Sequence, residues 1–339
     1  MRVLFFPYSD LNPYQQLLAA GLRDAGIEAS FDKKLFRLRS FWPKPSFDLL
    51  HLHWLPGDLP RMLLLLLKLT ALRLLKVPVV WTVHNLTHHQ RSGRFDLLGR
   101  RIVARVSNLL ICHCENAGEL VAGVFGIDKD KIAVVPHGNY IGVYPGEAGK
   151  AAARRKLGLP QDGLVFLVFG IAMRRKGFPS FVKEFKKLKS PATLIYAGKM
   201  ADPVLQRQLE ELQKGTSNIK YFFGYVPDSE VSVFFAAADC VAVTYEGALT
   251  SGTIALAASF GKAVAAPAVG CIPEQLDQGG NLLYNPKETG ALLKALEQAF
   301  QEDLEALGRK NYDKVEKMTW KKIARRTARV YEEAFNKNI

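Results

Sequence analysis

Residues 244–267 read TYEGALTSGTIALAASFGKAVAAP, and the fold prediction starts from this stretch. The apolar run at 239–245 predicts a buried strand, because β-branched residues fill it. A helix of small residues is predicted from Ile254, ended by Gly261 at a C-cap position, with a second strand at 263–266. Strand, polar loop, helix and strand form a βαβ unit, whose loop lies where open α/β sheets bind ligands.

The loop of this unit carries hydroxyl side chains and a glycine at the mouth of the helix: Thr250, Ser251, Gly252 and Thr253. Backbone amides at a helix N-terminus, with a glycine that allows close approach, suit an anion such as a diphosphate. An ordinary capped helix is the alternative that these residues leave open.

Tyr245-Glu246-Gly247, a Ser-Gly turn, an Ala-rich helix and Phe-Gly-Lys-x-Val together resemble the donor-binding segment of GT-B glycosyltransferases. The stretch is most similar to family 4 and its relatives that act on lipid-linked or polysaccharide acceptors. The resemblance implies that Tyr245, Glu246 and residues 250–253 bind the donor. Many family 4 enzymes carry a second glutamate eight residues after the first, where this chain has Ile254. The Thr-Ser-Gly-Thr version resembles the inverting β-mannosyltransferase-like branch, which uses a GDP-sugar.

The expected fold class is α/β. A chain of 339 residues, 48% hydrophobic, is ample for two packed domains. The resemblance implies the GT-B fold, with two Rossmann-like doubly wound domains facing across a cleft. We expect an acceptor-binding domain at 1–145, a nucleotide-sugar donor-binding domain at 146–315, and a C-terminal helix at 316–339 that crosses back towards the first domain.

The net charge of +14 favours anionic partners such as nucleotide diphosphates or anionic lipid headgroups. No nucleic-acid-binding motif accompanies it, so we expect no nucleic-acid partner. Cys112-His113-Cys114 lacks a second ligand pair with zinc spacing and is interpreted as the interior of a strand. We expect no metal and no other cofactor.

In the second domain, Gly170 follows a predicted strand at 164–169, and three consecutive cations follow in the same loop. Lys176 matches the Lys-Gly position with which GT-B donor domains clasp the diphosphate. The family arginine is absent from its usual positions, so charge alone proposes Arg174 or Arg175 as its substitute. The resemblance also places Tyr225 and Val226, after a predicted strand at 219–223, in the loop that holds the nucleotide base.

In the first domain, a predicted strand at 77–83 runs into a loop that begins with His84. The run resembles the Trp-Thr-Val-His-Asn-x-x-x-His pattern of the β-mannosyltransferase-like branch, although Gln90 stands where relatives often carry glutamate. Histidine serves as a general base because its ordinary pKa is near neutrality. His84, His88 and His89 are therefore the candidate catalytic residues, with a loop-bracing role as the alternative.

The remaining candidates for acceptor binding fall in three segments of the first half. The first loop resembles the acceptor-side loop of GT-B enzymes, although a plain turn explains it equally well. An Asp-x-x-His-x-His-Trp run and a Pro-His-Gly-x-Tyr element resemble the same branch. The predicted acceptor residues are Ser9, Asn12, Tyr14, His53, His137 and Asn139.

Residues 59–76 contain five consecutive leucines at 63–67, flanked by Arg61, Lys68, Arg73 and Lys76. The segment is too short to span a bilayer, which needs about 20 apolar residues. It suits a helix that lies on an anionic membrane surface. A helix packed across the sheet is the alternative. The apolar start of the chain is too short for a signal peptide, so we expect a cytoplasmic protein, peripheral on the inner membrane face.

We therefore expect an inverting, metal-independent hexosyltransferase that moves mannose from GDP-mannose onto a lipid-linked or polysaccharide-precursor hydroxyl. His84 or His89 would take the acceptor proton, and Glu246 would contact donor hydroxyls. One alternative is a retaining family 4-like enzyme that uses a UDP-sugar. The other is a non-catalytic protein that binds a nucleotide-sugar or a lipid phosphate.

Overall fold

The computed structural model describes residues 1–10, 12–33, 45–87, 94–146, 149–173, 176–200, 202–245, 248–277 and 281–337. The chain divides into two compact units: Met1–Gly138 together with Met318–Ile339, and Asn139–Lys317. The predicted domain limits were 145/146 and 315/316, whereas these units meet at 138/139 and 317/318. Each unit is an α/β layer structure with its own parallel sheet.

The first unit holds a six-stranded sheet in the order β2-β1-β3-β4-β5-β6, and every pairing in it is parallel. Its central strands are buried along their whole length, as expected where helices cover both faces. The strands are β1 (Arg2–Phe6), β2 (Glu28–Phe31), β3 (Leu49–Leu52), β4 (Val79–Thr82), β5 (Leu109–Cys112) and β6 (Ile132–Val134).

The C-terminal helix packs against the first helix of the same unit. The backbones approach closely at Gly21, where a Cβ atom would lie 2.8 Å from the carbonyl oxygen of Trp320. Ile323 and Tyr331 are buried in the core that this contact helps to form. The helices of the unit are α1 (Tyr14–Arg23), α2 (Leu59–Leu74), α3 (Arg94–Val106), α4 (Glu115–Phe125) and α13 (Trp320–Asn336).

The second unit holds a parallel sheet in the order β12-β11-β10-β7-β8-β9. Read from the β9 edge, this is the Rossmann order 3-2-1-4-5-6, and the direction of chain winding switches between β7 and β10. The strands are β7 (Leu164–Phe169), β8 (Ala192–Gly198), β9 (Ile219–Phe223), β10 (Cys240–Ala242), β11 (Ala263–Pro267) and β12 (Leu282–Tyr284).

The helices of the second unit include the predicted small-residue helix, whose C-terminal Gly261 contacts Gly308. A Cβ atom on Gly308 would lie 2.0 Å from the carbonyl oxygen of Gly261, so only glycine permits this approach. The helices are α5 (Lys150–Lys156), α6 (Phe178–Phe185), α7 (Pro203–Gln213), α8 (Asp228–Ala237), α9 (Gly252–Ser259), α10 (Ile272–Gln275), α11 (Ala291–Gln298) and α12 (Leu304–Glu316).

The structure corrects two element limits that matter for the site. The strand expected at 239–245 is only Cys240–Ala242, so Tyr245 belongs to the loop after it. The interpretation of Cys112-His113-Cys114 as strand interior is wrong, because β5 ends at Cys112 and Cys114 caps α4. Within the described part of the chain, no helix combines the length and apolar character needed to cross a bilayer.

Candidate functional site

A pocket in the second unit opens at the carboxyl ends of β7 and β10, at the winding switch of its sheet. This is the position at which open α/β sheets bind their ligands. Its lining includes four of the residues predicted to bind the donor, namely Gly170, Lys176, Tyr245 and Thr253. The full lining is Val168, Phe169, Gly170, Ile171, Ala172, Lys176, Phe178, Tyr196, Ala242, Val243, Thr244, Tyr245 and Thr253.

Hydroxyl groups link Tyr245 to the start of α9. The Ser251 hydroxyl lies 3.2 Å from the Tyr245 hydroxyl, which lies 3.3 Å from the Thr253 hydroxyl. Ser251 is also the N-cap, since its oxygen accepts a hydrogen bond of 3.3 Å from the backbone N–H of Ile254. Ser251 therefore caps the helix, as the alternative interpretation of residues 250–253 predicted. Its hydroxyl also contacts Tyr245, which lines the pocket.

Lys176 supplies a positive charge at this pocket. Its Nζ atom lies 5.3 Å from the centre of the Tyr245 ring, within the range of a cation–π contact. Burial alone would raise the pKa of the Tyr245 phenol, but Lys176 and the hydroxyls of Ser251 and Thr253 outweigh it and lower that pKa. A pocket with this balance stabilises negative charge, which is what a diphosphate would bring.

The loop after β7 is held by a close backbone contact with β8. Gly198 has a φ of 152°, and a Cβ atom there would lie 2.1 Å from the carbonyl oxygen of Gly170. The Tyr196 hydroxyl lies 3.0 Å from the same carbonyl oxygen and accepts a hydrogen bond of 3.2 Å from the N–H of Ala172. These contacts position the pocket wall before any ligand binds.

The other residues predicted to bind the donor do not line this pocket or lie outside the described residues. Thr250 precedes the N-cap, and its buried hydroxyl oxygen has no hydrogen-bond partner among the described atoms. Tyr225 is 64% exposed, and neither it nor Val226 lines the pocket. Their assignment to the nucleotide base stays a prediction, and so does the assignment of Gly252 to the diphosphate. Arg174, Arg175 and Glu246 lie outside the described residues.

The first unit gathers five histidines at the carboxyl edge of its sheet. His51 is the penultimate residue of β3 and His53 follows that strand, while His84, His113 and His137 follow β4, β5 and β6. Four of them are buried, and His137 is half-buried. The ring centres of neighbouring histidines lie 4.2–5.6 Å apart.

Tyr14, at the start of α1, contacts most of this histidine cluster. Its ring centre lies 5.1 Å from His137, 5.2 Å from His84, 5.7 Å from His113 and 5.8 Å from His53. The loop before α1 helps to hold Tyr14 in place, because the Asn12 side chain accepts a 2.9 Å hydrogen bond from the Tyr14 N–H. Ser9 is held through its own N–H, which donates to Gln15.

Hydrogen bonds divide the cluster into occupied and open nitrogens. Both ring nitrogens of His51 are occupied at 2.7 Å, by the hydroxyls of Tyr331 and Thr82. His53 Nδ1 lies 3.3 Å from His84 Nε2, so one of these two imidazoles donates a hydrogen bond to the other. Within the described part of the chain, His53 Nε2 and His113 Nε2 are buried without a hydrogen-bond partner.

Burial favours the neutral form of His51, His53, His113 and His137. It lowers the pKa of His51 and of His113 to about 3 and the pKa of His137 to about 4. Burial and the neighbouring histidines also hold the pKa of His53 well below its usual range. A neutral imidazole has one nitrogen with a lone pair, so a ring in which that nitrogen is open can accept a hydrogen bond from a hydroxyl.

Two predicted acceptor residues mainly serve local structure in what is described. His137 Nδ1 donates a 2.7 Å hydrogen bond to the Gly138 carbonyl oxygen. Asn139 belongs to the second unit, where its amide donates to the carbonyl oxygen of Val315 at 2.8 Å. His88 and His89 lie outside the described residues. Among the residues that are described, no three His, Cys, Asp or Glu side chains are arranged to hold a metal ion.

Comparison with known proteins identifies the class. Residues 18–139 match the family model Glycosyltransferase Family 4, and residues 163–302 match Glycosyl transferases group 1. The sucrose-phosphate synthase structure from Thermosynechococcus elongatus superposes with a TM-score of 0.79, covering 99% of both chains at 17% identity. The chain is therefore a glycosyltransferase with the GT-B fold, as the sequence predicted.

Two curated glycosyltransferases are similar to this chain over most of its length. The GDP-mannose:glycolipid 4-beta-D-mannosyltransferase of Xanthomonas campestris pv. campestris is 26% identical over 345 residues, covering 98% of this chain and 91% of the relative. The D-inositol 3-phosphate glycosyltransferase of Thermobispora bispora is 25% identical over 354 residues, covering 96% and 79% respectively. The comparison does not support the non-catalytic alternative, since both relatives are glycosyltransferases.

Proposed function

We propose that this glycosyltransferase moves mannose from GDP-mannose, with inversion at the anomeric carbon, onto a hydroxyl of a glycolipid or other lipid-linked acceptor. The observation that carries the proposal is the similarity to the Xanthomonas enzyme, which extends over nearly the full length of both chains. Ile254, in place of the second glutamate of many family 4 enzymes, supports the inverting branch.

In this proposal the second unit holds the donor. Lys176 neutralises part of the diphosphate charge, and the amides and hydroxyls at the start of α9 bind its oxygens. The pocket already carries a cation and a set of donors, so the leaving GDP is stabilised without a metal ion. Arg174 or Arg175 would add a second charge, and Glu246 would contact donor hydroxyls.

The first unit supplies the base. The oxygen of the acceptor hydroxyl forms a bond to the anomeric carbon while the bond from that carbon to the diphosphate oxygen breaks. The hydroxyl proton passes to His84 or His89. His84 suits this role because it follows β4 at the carboxyl edge of the sheet, and its contact of 3.3 Å with His53 fixes the orientation of its ring.

The test is a thermal-shift panel followed by a transfer assay. GDP, UDP and ADP and their common sugar conjugates are added without metal and with EDTA. We expect stabilisation by GDP compounds only, and a ¹H NMR coupling pattern for a β-linked product from GDP-mannose. Stabilisation by UDP compounds alone would instead support the retaining alternative. Unchanged turnover in both His84→Ala and His89→Ala would remove the assignment of the base.

We also propose that the protein works on an anionic membrane surface. Helix α2 buries Met62, Leu65, Leu69 and Leu72 but leaves other leucines exposed, with Leu67 at 69% and Leu74 at 81%. The neighbouring helix α3 exposes Phe95 and Leu98. Leu63, Leu67 and Leu74 share one helix face, and exposed arginines lie near them.

Vesicle sedimentation tests this surface. We expect wild-type protein to bind vesicles containing phosphatidylglycerol more strongly than phosphatidylcholine vesicles, and Leu63→Ser with Leu67→Ser to lose that binding. The control changes two exposed apolar residues on other helices, Leu120→Ser with Val204→Ser. Equal binding by both double variants would show that α2 is not the contact surface.

A further inference from the structure

Two ring nitrogens of the histidine cluster are buried without a partner, and this is unusual. Among the described residues only five buried side-chain N or O atoms lack one, and two of the five are His53 Nε2 and His113 Nε2. An unpaired buried polar atom costs about 1–3 kcal/mol, and most are paired in folded proteins. Two such atoms in one cluster indicate that something absent from the free protein completes them.

The hydrogen bonding of His113 determines which kind of group it lacks. Its Nδ1 atom lies 2.9 Å from the Val135 carbonyl oxygen, which can only accept, so the ring proton is on Nδ1. Because the buried ring is neutral near pH 7, Nε2 carries a lone pair. A hydrogen-bond donor satisfies such a lone pair.

The position of His113 indicates that this donor is a neutral hydroxyl. The residue follows β5 at the carboxyl edge of the sheet, where its ring contacts Tyr14, His84 and His137. Among the described groups that shift the pKa of His113 there is a second histidine, His137, but no carboxylate that would balance an ammonium group. His51, with both nitrogens occupied, shows what a purely structural histidine looks like in the same cluster.

We propose that His113 Nε2 accepts a hydrogen bond from a hydroxyl of the acceptor sugar, which makes His113 a binding and specificity residue next to His84. This inference rests on the proposed function and adds a residue to it. A sugar hydroxyl matches the site because it is uncharged, donates one hydrogen bond and can still accept from a neighbouring group. An analogue that lacks this hydroxyl would leave the nitrogen unpaired and would bind less well.

The variant that isolates the open nitrogen is His113→Asn. The amide nitrogen of asparagine can take the place of Nδ1 and keep the bond to Val135, but nothing replaces Nε2. We expect kcat/KM for the acceptor to fall about 10- to 100-fold, with the KM for GDP-mannose unchanged. Tyr331→Phe is the matched control, because it removes a hydrogen bond from His51 in the same cluster. It should lower thermal stability but leave the acceptor KM unchanged.

The assay uses octyl β-glycosides of glucose, galactose, mannose and glucuronic acid, and variants are compared on the glycoside that wild type uses best. If wild type transfers mannose and His113→Asn matches it within about twofold, the role of His113 is refuted while the proposed function stands. A loss confined to the donor KM would also refute it, because the hydroxyl would then belong to the donor sugar.

A second measurement does not depend on turnover. In protein labelled with ¹⁵N-histidine, His113→Asn assigns the His113 Nε2 resonance, and octyl glucoside is added to wild type. We expect the resonance of a lone-pair nitrogen in the free protein and a shift towards the hydrogen-bonded value on addition. The proposal would be overturned if the ¹⁵N chemical shift of His113 Nε2 were already that of a hydrogen-bonded nitrogen in the free protein. It would also be overturned if this chemical shift did not change on addition of the glycoside. If wild type transfers mannose to no glycoside, the proposed function fails and this resonance alone decides the role of His113.

Discussion

Replacing Lys176 with methionine removes the positive charge that lines the pocket of the second unit. The change keeps the length and apolar stem of the side chain. It also keeps the backbone carbonyl of Lys176, which accepts a hydrogen bond from the Thr244 hydroxyl. The substitution therefore tests the ammonium group with little disturbance of the loop that carries it.

The expected loss of affinity for GDP-mannose follows from the charged hydrogen bond that the Lys176 ammonium group would make to the diphosphate. A hydrogen bond to a charged group contributes about 1.5–3 kcal/mol, so the Kd for GDP-mannose should rise about 10- to 150-fold. GDP-mannose at 100 times the wild-type Kd stabilises the wild type by about 2.7 kcal/mol. If the variant binds 100-fold more weakly, the same concentration stabilises it by only about 0.4 kcal/mol.

Urea unfolding with and without GDP-mannose measures this difference, and calorimetry gives the Kd directly. The control is Lys199→Met, an exposed lysine after β8 that does not line the pocket. In the Lys176→Met variant the pKa of Tyr245 should also rise, because Lys176 contributes to lowering it. Unchanged affinity in Lys176→Met, or the same loss in Lys199→Met, would refute a specific contact with the diphosphate.

Three further predictions concern catalysis, pH and the pocket wall. His84→Ala should lower kcat about 10²- to 10⁴-fold with GDP-mannose affinity unchanged, and parallel loss of both would instead indicate a structural role. Folded-state pKa values of about 3 for His51 and His113, against an ordinary 6.5, mean that the unfolded chain binds more protons below pH 6.5. The contribution of each histidine to the free energy of unfolding is therefore fully present above that pH and falls by about 2 kcal/mol between pH 7 and 5. Urea unfolding at a series of pH values measures this fall. A free energy of unfolding that does not change with pH would contradict the burial of neutral rings. Gly198→Ala should destabilise the protein by at least about 2 kcal/mol in the same assay, whereas Gly215→Ala, also at positive φ but with nothing within 4 Å, should cost about 1 kcal/mol. Equal losses in the two glycine variants would show that the contact with Gly170 is not the cause.

Much of the fold could be predicted from local pattern. Apolar runs bounded by glycine and polar residues predicted strands at 77–83, 164–169, 219–223, 239–245 and 263–266, each of which overlaps a strand of the structure, and the βαβ unit around α9 has the predicted order. Lys176 and Tyr245 were predicted from the resemblance to GT-B donor domains. Gly170 and Thr253 were predicted from their positions in loops after strands, and parallel strands bring such loops to one edge of the sheet. The same rule explains why His84 lies beside His53, although the two are far apart in the sequence.

His113 was missed because Leu109 to Cys114 is nearly uniformly apolar, and nothing in the run itself shows where the strand stops. The end of β5 is determined by its pairing with β4 and β6, which is a property of the sheet. A signal was present, since His113 lies at the end of an apolar run, as His84 does. The sequence alone does not show that a histidine at the end of an apolar run lies at the edge of the sheet in both cases, at His84 and at His113.

By itself, then, the sequence indicated the order of strands and helices, because hydrophobic period and turn residues act over a few neighbours. The class of enzyme was implied by the resemblance of its motifs to those of GT-B glycosyltransferases. Only the tertiary structure decided which side chains of the histidine cluster are structural and which are open. His51 Nδ1 is occupied by the hydroxyl of Tyr331, which lies 280 positions away in the sequence, whereas no donor among the described residues reaches His113 Nε2. Hydrogen-bond satisfaction in a buried site depends on groups from distant parts of the chain, and packing alone brings them together.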